Sequence, residues 1–230
     1  MSSRPHTDDV YVSKRKPKSP INFKIQLNSE QKEAKDLILR SPISVIDGGA
    51  GVGKTTIASN IALDLLFNKE IKKIIIARPF VTAGEDIGFL PGGVDQKLEY
   101  LTFPIYEIMK DLTGSEEKVK KLVSEDQIKV IPIGFLRGVT FNDSLIIIDE
   151  AQNLTKLQTE LILGRLGKNG KLLFCGDKTQ CDLKNKLDSG MLLLNDLSKN
   201  IEGVSYIKLL KNHRHELVGD ILDYIKNNGI

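Results

Sequence analysis

The sequence predicts a doubly wound α/β domain, a mostly parallel sheet with helices on both faces. Three observations carry that prediction. Six short apolar runs recur along the chain, at residues 43–46, 74–77, 128–133, 145–148, 172–175 and 204–209. Several are almost continuously aliphatic, as strands covered on both faces must be. Amphipathic stretches at 56–67, 96–112, 155–166 and 190–198 lie between them, giving the alternation typical of a parallel sheet. Finally, polar clusters follow directly after the runs at 43–46, 145–148 and 172–175, where open α/β sheets gather their ligands.

The 230 residues suffice for one domain with a substantial core but not for two of full size. Residues 1–24 hold Pro5, Pro17 and Pro20, a basic run and little apolar periodicity, and are expected to form an unstructured arm. One domain is expected over 25–230. Residues 1–20 carry Arg4, Lys14, Arg15, Lys16 and Lys18 against Asp8 and Asp9, which accounts for the whole net charge of +3. The folded part therefore sums to about zero, and any nucleic-acid footprint on it must come from local clustering. No run of eighteen apolar residues and no apolar signal-peptide core is present, so a cytoplasmic location without a membrane is expected. Cys175 and Cys181 fit a reducing compartment and match no usual zinc spacing.

Along the chain, Asn28 is a plausible helix N-cap, with Gln31 at the third helical position and Ala34, Leu37 and Ile38 as the apolar stripe. After the run at 43–46 comes Gly48-Gly49-Ala50-Gly51-Val52-Gly53-Lys54-Thr55, a complete P-loop. Glycines let backbone N–H groups curl around phosphate oxygens, where a Cβ would obstruct the approach. The following helix (Ile57, Ile61, Leu65) points its positive end at the same anion. Lys54 is placed for the β- and γ-phosphates, and the Thr55 hydroxyl for Mg²⁺. These residues predict ATP with magnesium as the bound species.

Residues 78–93 form a long connection holding Arg78, Phe80, Phe89, Pro79, Pro91 and four glycines, the kind of loop that is often functional. After the aliphatic run at 145–148 come Asp149 and Glu150. Asp149 is expected to hold the magnesium through water, and Glu150 to orient or deprotonate an attacking water. An acidic helix start is the plainer reading of such a pair taken alone. Downstream of a full P-loop, the adjacent Glu favours hydrolysis over simple binding. Gly176-Asp177-Lys178-Thr179-Gln180 follows the next strand. Gln180 can bond both the γ-phosphate and the attacking water, and so sense whether the phosphate is intact.

Together these elements resemble the PhoH family, ATPases related to the core of superfamily 1 helicases. The resemblance runs from about Leu27 to Ile225. It rests on the P-loop extended through Thr56, Ala77-Arg78-Pro79-Phe80-Val81, and Ala83 to Gly92 with its Gly88-Phe89-Leu90-Pro91-Gly92. It also rests on Phe135-Leu136-Arg137-Gly138-Val139-Thr140-Phe141, Asp149-Glu150-Ala151-Gln152-Asn153, Gly176 to Gln180, and Arg214-His215-Glu216-Leu217-Val218. It implies a RecA-like three-layer fold with the strand at 172–175 between those leading to the P-loop and to Asp149. It implies that Gln31 could read adenine, against the helix-start role above. Arg78 and Phe80 fall where helicases touch single-stranded nucleic acid.

Helicases of that superfamily place an arginine from a second RecA-like domain across the ATP, and this chain has one such domain. The resemblance therefore implies a transition-state arginine from within the domain or from a neighbouring subunit of a homo-oligomeric ring, expected to be a hexamer. Arg214 and Arg137 are the candidates, with a structural cation as the plainer reading, above all for Arg137. Such arginines contribute on the order of a thousandfold in rate. The expected function is a magnesium-dependent ATPase coupled to RNA or single-stranded DNA. The alternative is a nucleotide-switched interaction module without unwinding activity, and a nucleotide kinase is disfavoured.

Overall fold

The computed structural model describes residues 23–79 and 94–213, with backbone alone over 94–102, and further along only Leu217, Val218, Ile221 and Tyr224. In chain order the elements are α1 (Ser29–Arg40), β1 (Ile43–Gly48), α2 (Lys54–Phe67), β2 (Lys73–Ala77), α3 (Val94–Thr113), α4 (Glu116–Ser124) and β3 (Ile128–Val130). They continue with β4 (Ser144–Ile148), α5 (Lys156–Leu163), β5 (Lys171–Gly176), α6 (Gly190–Asn200) and β6 (Val204–Leu209).

The six strands form one sheet in the order β3-β2-β4-β5-β1-β6, and every pairing among them is parallel. The sheet separates two apolar layers, because successive side chains of a strand point to opposite faces. Ile46 of β1, Ile74 and Ile76 of β2, Leu145 and Ile147 of β4, and Leu173 and Cys175 of β5 pack with α1, α2, α3 and α4. Their neighbours Val45, Ile75, Ile146, Ile148, Leu172 and Phe174 pack with Ile162 of α5 and with Met191 and Leu194 of α6. Both faces are covered, which explains the unbroken aliphatic runs. This is the three-layer, RecA-like α/β fold that the sequence predicts, with β5 lying between β1 and β4.

Local chemistry sets the element ends. In α1, Asn28 and Gln31 form a reciprocal capping box. At the other end of that helix, Lys171 Nζ donates to the carbonyls of Ile38, Leu39 and Ser41 at 3.3, 2.9 and 2.9 Å. Burial draws the Lys171 ammonium down to about 8. Thr155 caps α5, again with a capping box, and that helix ends at Gly164 instead of running to 166. The expected strand at 128–133 stops at Val130, because Pro132 has no N–H to donate and the chain turns into a 3-10 segment at Ile133–Leu136. Helix α4 has no counterpart among the expected elements; it buries only Val119 and Leu122, too thin a stripe to stand out. Residues 1–22 of the arm expected over 1–24 lie outside the described residues; its last two belong to the fold, with Phe23 packed in the core and the Lys24 N–H donating to the Leu112 carbonyl at 3.1 Å.

Candidate nucleotide site

The P-loop joins the end of β1 to the start of α2. Gly51 and Gly53 have φ of 89° and 84°, in the left-handed region that suits glycine. Gly53 occupies the N-cap position of α2 with no side-chain cap, so the first N–H groups of the helix remain for an anion. Gly48 is crowded: a Cβ there would sit 2.7 Å from the Leu209 carbonyl oxygen and 2.9 Å from Val52 Cγ2. Lys54 folds back over the loop, its Nζ donating to the carbonyls of Gly48 at 2.6 Å and Gly49 at 3.0 Å. Ala50, Thr55 and Thr56 lie partly exposed around it.

Two outside segments brace the loop. Gln31 is buried; its Oε1 accepts the Asn28 N–H at 3.2 Å, and its Nε2 donates to the Val52 carbonyl at 3.3 Å. The helix-start role is therefore present, and the same amide touches the P-loop backbone. The second brace is the segment after β6. Its His213 N–H donates to the Gly51 carbonyl at 3.0 Å, and its ring Nε2 lies 2.7 Å from Asn28 Nδ2. Glu30 secures this segment by accepting the N–H groups of Leu210 and Lys211 at 2.8 and 3.2 Å.

The strand order brings the other clusters alongside. Asp47 of β1 is level with Gly176 of β5, and Phe174 of β5 with Ile148 of β4, so the three strand ends open at one edge. Asp149 is 8% exposed. Burial pushes its carboxyl up, opposed first by the neighbouring Arg78 charge. Glu150 adopts a left-handed backbone, φ 54°, uncommon for a non-glycine and a mark of a constrained position. Its Oε1 pairs with Arg78 Nη2 at 3.0 Å, and its Oε2 accepts from Gln152 Nε2 at 2.6 Å. Gln152 Oε1 in turn accepts the Asp177 N–H at 3.1 Å. On the turn that follows β5, Gln180 is exposed, and Asp177 Oδ1 accepts from Thr179 N and Oγ1 at 2.9 and 2.6 Å.

Thus β1, β5 and β4 bring together the P-loop, Gln180, Asp149 and Glu150, while Gln31 and Arg78 reach the same edge. Arg137 is exposed, directly after the 3-10 segment whose Ile133 and Leu136 pack on the face of the sheet that α5 and α6 cover. Phe80 and Arg214, with the loop over 80–93, lie outside the described residues. Sequence reasoning missed Gln152, which joins Glu150 to the turn bearing Gln180, although it stands in the quoted Asp149 to Asn153 run. It also missed Asp47, which is 2% exposed with an Oδ2 that accepts no hydrogen bond.

A hard divalent cation takes few protein ligands and completes its shell with water and phosphate oxygens. A buried carboxylate at Asp149 that feels the Lys54 charge, with the Thr55 hydroxyl in the first turn of α2, suits Mg²⁺ in that mode. No group of three or more His, Cys, Asp or Glu fit for a metal occurs among the described residues, and no described helix is long and apolar enough to cross a membrane.

A phosphate-binding loop between a central parallel strand and its helix, with an acidic pair two strands away, defines a P-loop NTPase. Comparison supports the fold: the large terminase of bacteriophage HK97 aligns over 80% of this chain and 39% of its own at a TM-score of 0.52 and 13% identity. The large terminase of a thermophilic bacteriophage aligns over 81% and 46% at 0.51 and 11%. Within this class the chain belongs to the PhoH family, whose model, described as PhoH-like protein, matches residues 24–226. It is 39% identical to the PhoH-like protein of Bacillus subtilis (strain 168) over 184 residues, covering 79% of this chain and 57% of that one. Identity to Protein PhoH of Escherichia coli (strain K12) is 37% over 160 residues, covering 69% and 44%. The chain thus spans just over half the length of the Bacillus relative and less of the Escherichia one.

Proposed function

We propose that this chain is a magnesium-dependent ATPase that couples hydrolysis to binding or remodelling of RNA or single-stranded DNA. The observation that carries the reading is the convergence of the P-loop, Asp149 with Glu150, and Gln180 on adjacent strand ends. Backbone N–H groups of residues 48–55 and the start of α2 take the phosphates. Lys54 leaves its two loop carbonyls for the β- and γ-phosphates, and Gln180 reads the γ-phosphate. Glu150 orients a water and accepts its proton as the water oxygen bonds to the γ-phosphorus and the bond to ADP breaks. Bound at Asp149 and Thr55, Mg²⁺ would neutralise charge on the β- and γ-oxygens. Gln31, one brace of the loop, would link adenine occupancy to P-loop shape if adenine took over its amide.

Arg214 and Arg137 are the candidates for the transition-state arginine, supplied from within the domain or by a neighbouring subunit. A homo-oligomeric ring, taken as a hexamer, is the assembly in which a neighbouring subunit would supply that arginine. The cysteine usage fits a cytoplasmic enzyme.

ATP turnover with and without poly(U) and oligo(dT) tests the reading. Stimulation together with salt-sensitive binding is expected. A polynucleotide-independent rate with no salt-sensitive binding would sink the coupling and favour a nucleotide-switched interaction module. A Lys54→Ala protein that still hydrolysed ATP would sink the site. Light scattering on gel-filtered protein with ATP reads the assembly, and a stable monomer there rules out an arginine supplied by a neighbour.

A further inference from the structure

We infer that Arg78 is a restraint on Glu150 that nucleic-acid phosphate relieves: the guanidinium holds the glutamate away from its water until a phosphate takes its place. This rests on the ATPase reading above and adds to it the residue through which the two sites communicate.

The argument starts from the carboxylate. A glutamate that orients and deprotonates a water needs an oxygen directed at that water. Here Oε1 is held by Arg78 at 3.0 Å and Oε2 by Gln152 at 2.6 Å. The Gln152 tie belongs to the site itself, since its other end accepts the Asp177 N–H at the base of the turn bearing Gln180. It keeps Glu150 in register with the γ-phosphate sensor. The Arg78 tie leads elsewhere. Arg78 directly follows β2, and the connection over 78–93 departs from it, so one ion pair spans the gap between the catalytic carboxylate and that connection.

The pair is also built to exchange. The side chains of Arg78 and Glu150 are 27% and 37% exposed, so a phosphate arriving from solvent can reach the guanidinium. A partly exposed ion pair is weak, and a planar guanidinium binds phosphate in a two-pronged manner. The left-handed backbone at Glu150, φ 54° and ψ 40°, fixes where its side chain starts. Release of the Arg78 contact therefore frees Oε1, and the carboxylate can pivot about its Oε2 bond to Gln152 with its backbone held. The same cation also lies close enough to Asp149 to favour that carboxylate's charge, so moving it changes the field on both acidic residues at once.

The test measures steady-state ATP turnover of wild type, Arg78→Gln and Arg78→Lys, each alone and with poly(U) or oligo(dT). In Arg78→Gln, basal kcat is expected to rise about threefold to tenfold, the population shift from losing one partly exposed charge pair. KM for ATP should hold, and polynucleotide should add nothing further. Arg78→Lys keeps a cation but loses the fork, so an intermediate basal kcat with part of the stimulation is expected. A merely structural role predicts the opposite, a lower kcat in both variants with stimulation intact.

An Arg78→Gln protein that melts like wild type but has an unchanged or lower basal kcat overturns the inference. So does one stimulated by the same factor as wild type. If Arg78→Gln does not fold, Arg78→Lys decides: a basal kcat above wild type supports the restraint, and an equal or lower one overturns it. Wild type indifferent to both polynucleotides refutes the nucleic-acid reading and the relief by phosphate, while the Arg78→Gln basal rate still judges the restraint by itself.

Discussion

Replacing Gly53 by alanine isolates the fit between the P-loop and helix α1. Gly53 has φ 84°, and a Cβ built there lies 2.5 Å from Gln31 Nε2. Two costs follow. Holding an alanine in the left-handed region costs about 1–2 kcal/mol. The Gln31 amide must also move, releasing its bond to the Val52 carbonyl, worth about 0.5–1.5 kcal/mol. The sum, about 1.5–3.5 kcal/mol, corresponds to a fall in Tm of about 3–14 °C for a chain of this size. Thermal unfolding followed by circular dichroism, together with titration of a fluorescent ATP analogue, reads stability and binding in one protein.

The double variant Gly53→Ala with Gln31→Ala separates the two costs. Removing the Gln31 side chain opens the space for the new Cβ, so the pair should be less destabilising than the sum of the singles by about 1 kcal/mol, the steric share. The backbone cost remains. Strict additivity, or a Gly53→Ala protein melting within a degree of wild type, would refute the claim that Gln31 is packed against the loop.

Other variants report on the remaining contacts. Asp149→Asn should abolish magnesium-dependent turnover yet raise stability at neutral pH, by about 0.5–2 kcal/mol as active-site substitutions of this kind do. Burial holds the folded Asp149 pKa above its unfolded value, so the unfolded chain gives up its proton first as pH rises through about 4. Wild-type stability is therefore lost across that rise, and the advantage of the Asn variant in thermal melts should widen from pH 4 upward. A gap that narrows instead would contradict the burial argument. Lys171→Met deprives three carbonyls at the C-terminal end of α1 of their donor and should cost about 1.5–3 kcal/mol, visible as a lower urea midpoint at pH 7 with nucleotide affinity little changed. Gly48→Ala places a Cβ 2.7 Å from a backbone oxygen of β6. It should destabilise by about 1–3 kcal/mol, as overpacking does, and a chemical-denaturation midpoint equal to wild type would count against the close approach.

Much of the site is legible in the sequence because its parts are local. The P-loop, the acidic pair and the turn bearing Gln180 each follow an aliphatic run, so periodicity places all three at strand ends. What stays hidden depends on contacts between distant residues. Arg78 and Glu150 lie 72 positions apart, and Gln152 and Asp177 lie 25 apart; no local pattern announces either bond. Gln31 carries two readings because a capping-box glutamine and an adenine-reading one look alike in sequence. Only packing brings its amide to Val52. Helix α4 escapes for a different reason, since nine residues burying two side chains give too little contrast to register.

The pairing of β1 has a consequence for synthesis. The strand that carries the P-loop has no hydrogen-bonded neighbour among the strands that soon follow it: its partners are β5 and β6, and its loop closes against His213. A nascent chain emerging from the ribosome can assemble β2, β3 and β4 while β1 still lacks both its partners. ATP therefore cannot act as a template for early folding, because the cradle that would hold it does not exist until some 160 further residues have been made. Long-range parallel pairing of this sort is slow to form. The waiting edge of β1, apolar on both faces, is the segment a chaperone has most reason to shield.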